Sequence, residues 1–392
     1  MGVRQSEPDI TCTAVLNELA VTGGGMILRH GQRAFYLHVD DGLFAGINRL
    51  PENDPARLME LCANKLEKSN MMAPTRLVGD EVDKIVGYAP ERHPARLRLD
   101  SRRRSLLYDS LNFLLRRARV HTGRLHSVIA IWVWGSLLRR ELLAIPFAVF
   151  KMLAELPNQE TRWWPSVRRE VARMRDALLG MVADLGAPAP AIVYATDASG
   201  ADRVDHGGFG IVASPVSPSL RDSCVLAGTR PGLTVANVNG DPGKLFSPGF
   251  QARPTAPFSV LPDALWSDPD REWTTLEAGR WRYTDHITLG EGRATVRLLE
   301  RASAVPGLHR TKMISLEDNQ AWGGAAAKGR SPSIAVNFLC RRKCALSLAC
   351  NISMLLPWCE TRRMPADGAS RTRKPPASLG PSSGEAGGRK YS

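Results

Sequence analysis

The stretch Ile192 to Ile211, IVYATDASGADRVDHGGFGI, constrains the fold more than any other part of the chain. Ile192, Val193 and Tyr194 favour extended backbone, Gly200 to Gly208 is turn-forming material, and a second apolar run follows. This pattern predicts a hairpin whose buried first strand carries a carboxylate, Asp197, to its exit. One carboxylate does little chemistry without partners. Three candidates lie downstream: Glu291 opening a helix, Asp318 closing a strand, and Asp367 in a Pro-Ala-Asp turn.

The chain has 392 residues, enough for two or three domains of the usual ~100–200 residues. Its formal charge of +13 predicts attraction to polyanions, because Lys and Arg neutralise phosphates and release counterions. Nucleic acid is therefore the expected partner and a membrane is not: the apolar run Val128 to Leu138 is far short of the ~20 residues a span needs and ends in Arg139-Arg140-Glu141. That run reads as a core helix. Met1 to Ala20 carries acids and no uninterrupted apolar core, and the seven cysteines are scattered, which together predict an intracellular, cytoplasmic or nuclear protein. Cys340, Cys344, Cys350 and Cys359 lack the paired short gaps of structural zinc sites and read as buried thiols.

In chain order, residues 1–33 look irregular, and Ala34 to Ile47 gives two apolar runs around Asp40 and Asp41, a hairpin with acids at its tip. Adjacent acids repel, so solvent or a divalent cation must offset them. Pro55 to Lys68 reads as an amphipathic helix, and Ile85 to Tyr88 with Ala95 to Leu99 as a short hairpin. From Asp100 to Leu156 the pattern is helical, with Asp100 or Ser101 as the first cap and Leu106, Leu107, Leu111, Leu114 and Leu115 apolar. Around that helix Arg102, Arg103 and Arg104 join Arg92, Arg96, Arg98, Arg116, Arg117, Arg119 and Arg124 in a basic tract with few acids interspersed. Such a tract is expected to touch phosphates without reading bases.

Trp163-Trp164-Pro165 begins another helix, whose stripe Val171, Met174, Leu178, Val182 and Leu185 extends to Gly186; the tryptophan pair reads as core. Gly186 to Pro190 is the clearest linker. Ala213 to Asp270, rich in Pro, Gly, Ser and Asp, reads as a partly ordered insertion, and Gly279 to Asp285 as a strand returning to the core. Residues 373–392 form a basic tail without apolar periodicity, expected to be disordered.

Four segments carry a family resemblance: TDAS at Thr196, HITLGEGRA at His286, SLEDNQAWGGAAAKGRS at Ser315 and MPADGASR at Met364. They resemble the ribonuclease H domain of retroelement reverse transcriptases. Ala34 to Ile47 resembles the catalytic hairpin of the polymerase palm, with His38 at the usual aromatic position. The resemblance implies an α/β and α+β chain: a partial reverse transcriptase palm at 34–99, a helical thumb or connection region at 100–186, and a ribonuclease H-like mixed sheet with flanking helices at 187–372, with an insertion at about 213–270.

It implies Asp197, Glu291, Asp318 and Asp367 as catalytic carboxylates holding Mg2+ or Mn2+, with Asp40 and Asp41 as further metal ligands. Glu291 is preferred to Glu300 because Ile287-Thr288-Leu289 before it and Arg293-Ala294 after it keep the family register. Ser199, Asn319, Lys328, Arg330 and Arg371 would face nucleic acid, as would Arg102, Arg103 and Arg104 of the basic tract.

The implied activity is hydrolysis of the RNA strand of an RNA-DNA hybrid by a two-metal mechanism. A palm needs more than the roughly forty residues that precede Asp40, so no DNA synthesis is expected from this chain alone. Its expected partners are therefore the missing polymerase half or another element-encoded protein. The alternative is a catalytically inactive nucleic-acid-binding remnant of a transposable element.

Overall fold

A computed structural model describes residues 59, 60, 64, 84, 87–92, 94–200, 206–228, 261–282 and 284–371, with the backbone of 33–38 and 41–46. Strands β1 (Arg33–His38) and β2 (Asp41–Gly46) pair antiparallel, with His38 opposite Asp41, so the expected first hairpin is present. Asp40, the side chain of Asp41 and most of the expected helix Pro55 to Lys68 lie outside the described residues.

Strands β3 (Tyr88–Arg92) and β4 (Ala95–Leu99) form the second hairpin, whose first strand begins at Tyr88. The helical part then opens with α1 (Ser101–Leu115), capped by Asp100, whose Oδ1 accepts the Arg103 N–H at 3.1 Å. Leu107, Leu111 and Leu114, at i, i+4 and i+7, face the core. Leu106, also apolar, lies about a quarter-turn away and is 57% exposed.

After β5 (Arg119–His121) come α2 (Thr122–Ser136), a 3-10 segment (Leu137–Ala144), α3 (Phe147–Glu155), β6 (Glu160–Arg162) pairing with β5, and α4 (Pro165–Asp176). The apolar run expected as a core helix is α2: Ile129 and Trp132 are buried, and Trp132 Nε1 donates to the Met174 carbonyl at 2.9 Å. Burying each side chain of this size contributes ~1.5–3 kcal/mol. Trp163 and Trp164 pack half-buried on the same core, as expected.

The stripe expected to run helically to Gly186 does not. Helix α4 ends at Asp176, a 3-10 turn covers Ala177–Gly180, and Val182–Asp184 forms β7 against the open edge of β4. Backbone pairing with β4 outweighs the i, i+4 spacing of Leu178 and Val182, which a helix followed by a strand mimics by chance.

Among the described residues, the remaining part is a five-stranded mixed sheet with no closed barrel. Its strands are β8 (Ile192–Ala198), β9 (Gly208–Pro215), β10 (Thr274–Arg280), β11 (Lys312–Leu316) and β12 (Ser353–Leu355). Across the sheet they lie in the order β10-β9-β8-β11-β12. The β10-β9-β8 pairs are antiparallel, whereas β8-β11-β12 run parallel. Around the sheet lie α5 (Pro218–Gly228), α6 (Ile287–Ser303), α7 (Gln320–Lys328), α8 (Ile334–Cys350) and α9 (Asp367–Ser370).

Two boundaries differ from expectation. The segment from Ala213 begins as ordered structure: β9 continues to Pro215, and Ser217-Pro218 starts α5, with Ser217 Oγ accepting the Leu220 N–H at 3.3 Å. The returning strand is Thr274–Arg280 rather than Gly279 to Asp285, because Thr274 through Arg280 pairs along β9 from Ala213 to Gly208. Its two threonines suit an edge strand.

The linker and α8 join the two parts closely. Pro188 O accepts the Lys312 N–H at 2.8 Å and Ala187 is buried. From α8, Asn337 Nδ2 and Arg341 Nε donate to the Ala144 carbonyl at 3.0 and 2.9 Å, and Arg341 ion-pairs with the buried Glu170 of α4. Arg139 answers from the other side, donating to Asn351 Oδ1 at 2.7 Å and to the Ser347 carbonyl at 3.2 Å. Among the described residues no helix is long and apolar enough to cross a membrane.

Candidate metal centre

Asp197 sits near the C-terminal end of β8, opposite Gly210 of β9. Strand β11 runs parallel beside β8, with Leu316 opposite Ala195, so Asp318 emerges at the same end of the sheet. Glu291 comes from the second turn of α6, on the face that also buries Ala294, Thr295 and Leu298. One carboxylate oxygen from each of Asp197, Glu291 and Asp318 lies within 4.8 Å of the other two. Asp197 and Glu291 are buried and Asp318 is half-buried.

Packing acids this closely makes ionisation costly. Burial, and then the charges of Asp318 and Asp367, push Asp197 up to about 6, against a lowering hydrogen bond from the Ser370 side chain. Burial again dominates at Glu291, joined by Glu317, Asp197 and Asp318, and pushes it up to about 10. Glu291 Oε2 is buried without a hydrogen-bond partner. A buried carboxylate oxygen without a hydrogen-bond partner, on an acid grouped with two others, fits a hard divalent cation such as Mg2+ or Mn2+, which takes oxygen ligands and offsets their mutual repulsion.

Sequence reasoning missed Glu317. It is 1% exposed, and burial holds its carboxyl well above the usual range, with the charges of Asp318 and Asp197 adding to the effect. Its Oε1 accepts the Asn319 N–H at 3.0 Å, spanning Asp318. The available signal was that Met313 on one face and Ile314 and Leu316 on the other are apolar, so β11 is buried on both faces of the sheet and the next residue follows it inside.

The other expected site residues are placed differently. Asp367 lies outside the three-acid group and is bound by Arg371, whose Nε donates to both its carboxylate oxygens at 3.0 Å, yet its charge still reaches Asp197. Helix α9 carries it over β9, where a side chain at Gly210 would meet the Ser370 nitrogen at 2.6 Å. Ser199 Oγ donates to the Ser370 carbonyl and accepts the Gly208 N–H, both at 2.8 Å, closing the hairpin turn.

Asn319 caps α7 by accepting the Trp322 N–H at 2.9 Å, Lys328 stands in the last turn of α7, and the Arg330 guanidinium lies 5.1 Å from the Phe150 ring centre in the helical part. Glu300 ion-pairs with Arg342, away from the site.

Arg102 and Arg103 are exposed and Arg104 half-buried in the first turn of α1. The tract around them is less uncompensated than expected, because folding brings acids from distant segments: Asp184 to Arg96 at 3.5 Å and Glu160 to Arg119 at 3.9 Å, while Glu91 meets Arg98 at 2.9 Å across the β3-β4 hairpin. Cys224, Cys340, Cys344 and Cys359 are buried free thiols, and burial pushes Cys340 up to about 11.

No protein-family model matches the chain, and no curated protein matches it. Among solved structures it is similar to a foamy viral protease-reverse transcriptase dRH in complex with ds DNA, at 9% identity and a TM-score of 0.33 over 88% of this chain and 48% of that one. It is also similar to a foamy viral protease-reverse transcriptase in complex with RNA/DNA hybrid, at 10% identity and a TM-score of 0.31 over 94% of this chain and 61% of that one. The chain thus spans 48% and 61% of the two chains it resembles.

Proposed function

We propose that this chain is a divalent-metal-dependent nuclease of ribonuclease H type that cleaves the RNA strand of RNA-DNA hybrids. The observation that carries this reading is the convergence of Asp197, Glu291 and Asp318 from two strand ends and one helix, with an unpaired buried oxygen on Glu291. These three acids would hold the cation, which when bound supplies an activated water and stabilises charge on the phosphate. Asp367, although paired with Arg371, stands close enough to add negative field at Asp197. Glu291 must give up its proton to act as a ligand, so cation binding strengthens as pH rises.

Around this acidic pit the basic surface, including Arg102 and Arg103, would hold the backbone of the duplex through sequence-independent phosphate contacts. In this reading residues 34–99 and 100–186 act as the binding arm of the hydrolase at 187–372. The test is hydrolysis of a labelled RNA-DNA hybrid with Mg2+ or Mn2+, beside an Asp197→Asn variant and a duplex-DNA control. We expect hybrid-specific cleavage that Asp197→Asn reduces at least a hundredfold. Binding without cleavage at every cation concentration would refute it and leave a nucleic-acid-binding remnant.

A further inference from the structure

Behind the three acids lies a buried polar knot centred on Thr295, which is 0% exposed. Its Oγ1 accepts the Trp322 Nε1 hydrogen at 2.9 Å and lies 3.3 Å from Thr196 Oγ1, 3.1 Å from the Glu291 carbonyl and 3.5 Å from Glu317 Oε2. Thr196, Glu317 and Trp322 are buried as deeply. A hydroxyl has one hydrogen to give and two lone pairs. Thr295 therefore accepts from Trp322, either hydroxyl can be the donor between Thr295 and Thr196, and its single hydrogen goes to Thr196, Glu291 O or Glu317.

The partners of this hydroxyl map onto the acids. Thr196 is the residue before Asp197 on β8, Glu291 O belongs to the acid of α6, and Glu317 is the residue before Asp318. Trp322 adds α7, whose cap is Asn319, the residue after Asp318. One oxygen thus touches all three backbone segments from which the acids project. Glu317 extends the tie by accepting the Asn319 N–H, which fixes the chain on both sides of Asp318.

We propose that Thr295 is a positioning residue that sets the separation of Asp197, Glu291 and Asp318, with Thr196 and Glu317 as its arms. The inference rests on the metal-centre reading above and adds to it a group that touches neither cation nor substrate. A hydrogen-bonding hub matters here because ligands that repel one another spread unless their backbones are pinned. Valine has nearly the shape of threonine, so replacing it removes the hydrogen bonds while filling the same space.

The test is manganese binding to the full chain, followed by the loss of the free-ion electron paramagnetic resonance signal, with circular dichroism of each variant. Thr295→Val is expected to weaken binding about tenfold, the low end for supporting partners of metal ligands, and Thr295→Ser to keep it within about twofold. Wild-type affinity in Thr295→Val overturns the inference and leaves the metal centre intact. Manganese binding that is absent from the wild type, or unchanged in Asp197→Asn, overturns the metal centre itself and the hub with it. If Thr295→Val fails to fold, Thr196→Val removes one arm from the side of β8, and the same affinity comparison decides.

Discussion

Replacing Glu291 with glutamine should make the metal-free chain more stable at alkaline pH. In the folded chain the carboxyl stands near 10, against 4.5 as its ordinary value, because burial and the neighbouring acids oppose its charge. Between those two values the folded state keeps a proton that the unfolded chain has lost, so stability is fully present below the lower value and falls as pH rises toward the upper. The slope is about 1.36 kcal/mol per pH unit for one such group. From pH 7 to pH 9, above the Asp197 value of about 6, Glu291 should therefore cost about 2.7 kcal/mol.

Glutamine has nearly the same shape and no charge to lose. The assay is urea unfolding of both proteins with a chelator present, at half-unit pH intervals. The difference in stability should grow in favour of Glu291→Gln by about 2.7 kcal/mol across that window. Parallel curves would refute the reasoning, because they would mean that Glu291 is already ionised in the folded chain. Excess Mn2+ should flatten the wild-type slope, since the cation takes the place of the proton, and leave that of Glu291→Gln unchanged.

Two further substitutions test how the helical part and the sheet are joined. Gly329→Ala should cost at least ~1–3 kcal/mol in urea unfolding, because Gly329 ends α7 at φ +74° and a methyl group there would lie 1.8 Å from the Arg140 carbonyl oxygen. Arg341→Ala should cost about 3–5 kcal/mol by removing the partner of the buried Glu170, and Glu170→Gln in that background should recover part of the loss; a loss below ~1 kcal/mol would show that water reaches the pair.

The hairpin of β8 and β9 was legible in the sequence because both strands are apolar and glycines mark the turn. Asp197, Glu291 and Asp318 were legible only as an ordered set, through the family resemblance, since each taken singly is an ordinary acid at a strand end or in a helix. Their approach to within 4.8 Å was not legible, because it depends on β8 and β11 being parallel neighbours, a pairing between residues more than a hundred positions apart. Strand β7 was hidden for a similar reason: three residues take extended form only because β4 offers a free edge. The Asp367-Arg371 pair is a different case, as i, i+4 spacing on a single turn of helix put it within reach of sequence reasoning. Thr295 was the least legible, because an interior threonine reads as helix filling until its neighbours are known.

Helix α8 has a consequence for how this chain can be divided. Cys344 and Leu348 belong to the core of the helical part, Leu346 and Cys350 to one face of the sheet, and Leu339 and Cys340 to the cluster around Trp322. A wall shared by three rooms cannot be given to any one of them. Cutting between Gly186 and Pro190 would strip α8 of one set of neighbours and bare apolar surface together with the Arg341 guanidinium. The sheet is therefore a poor cassette for transplantation by itself, and the smallest portable unit carries its helical neighbour along.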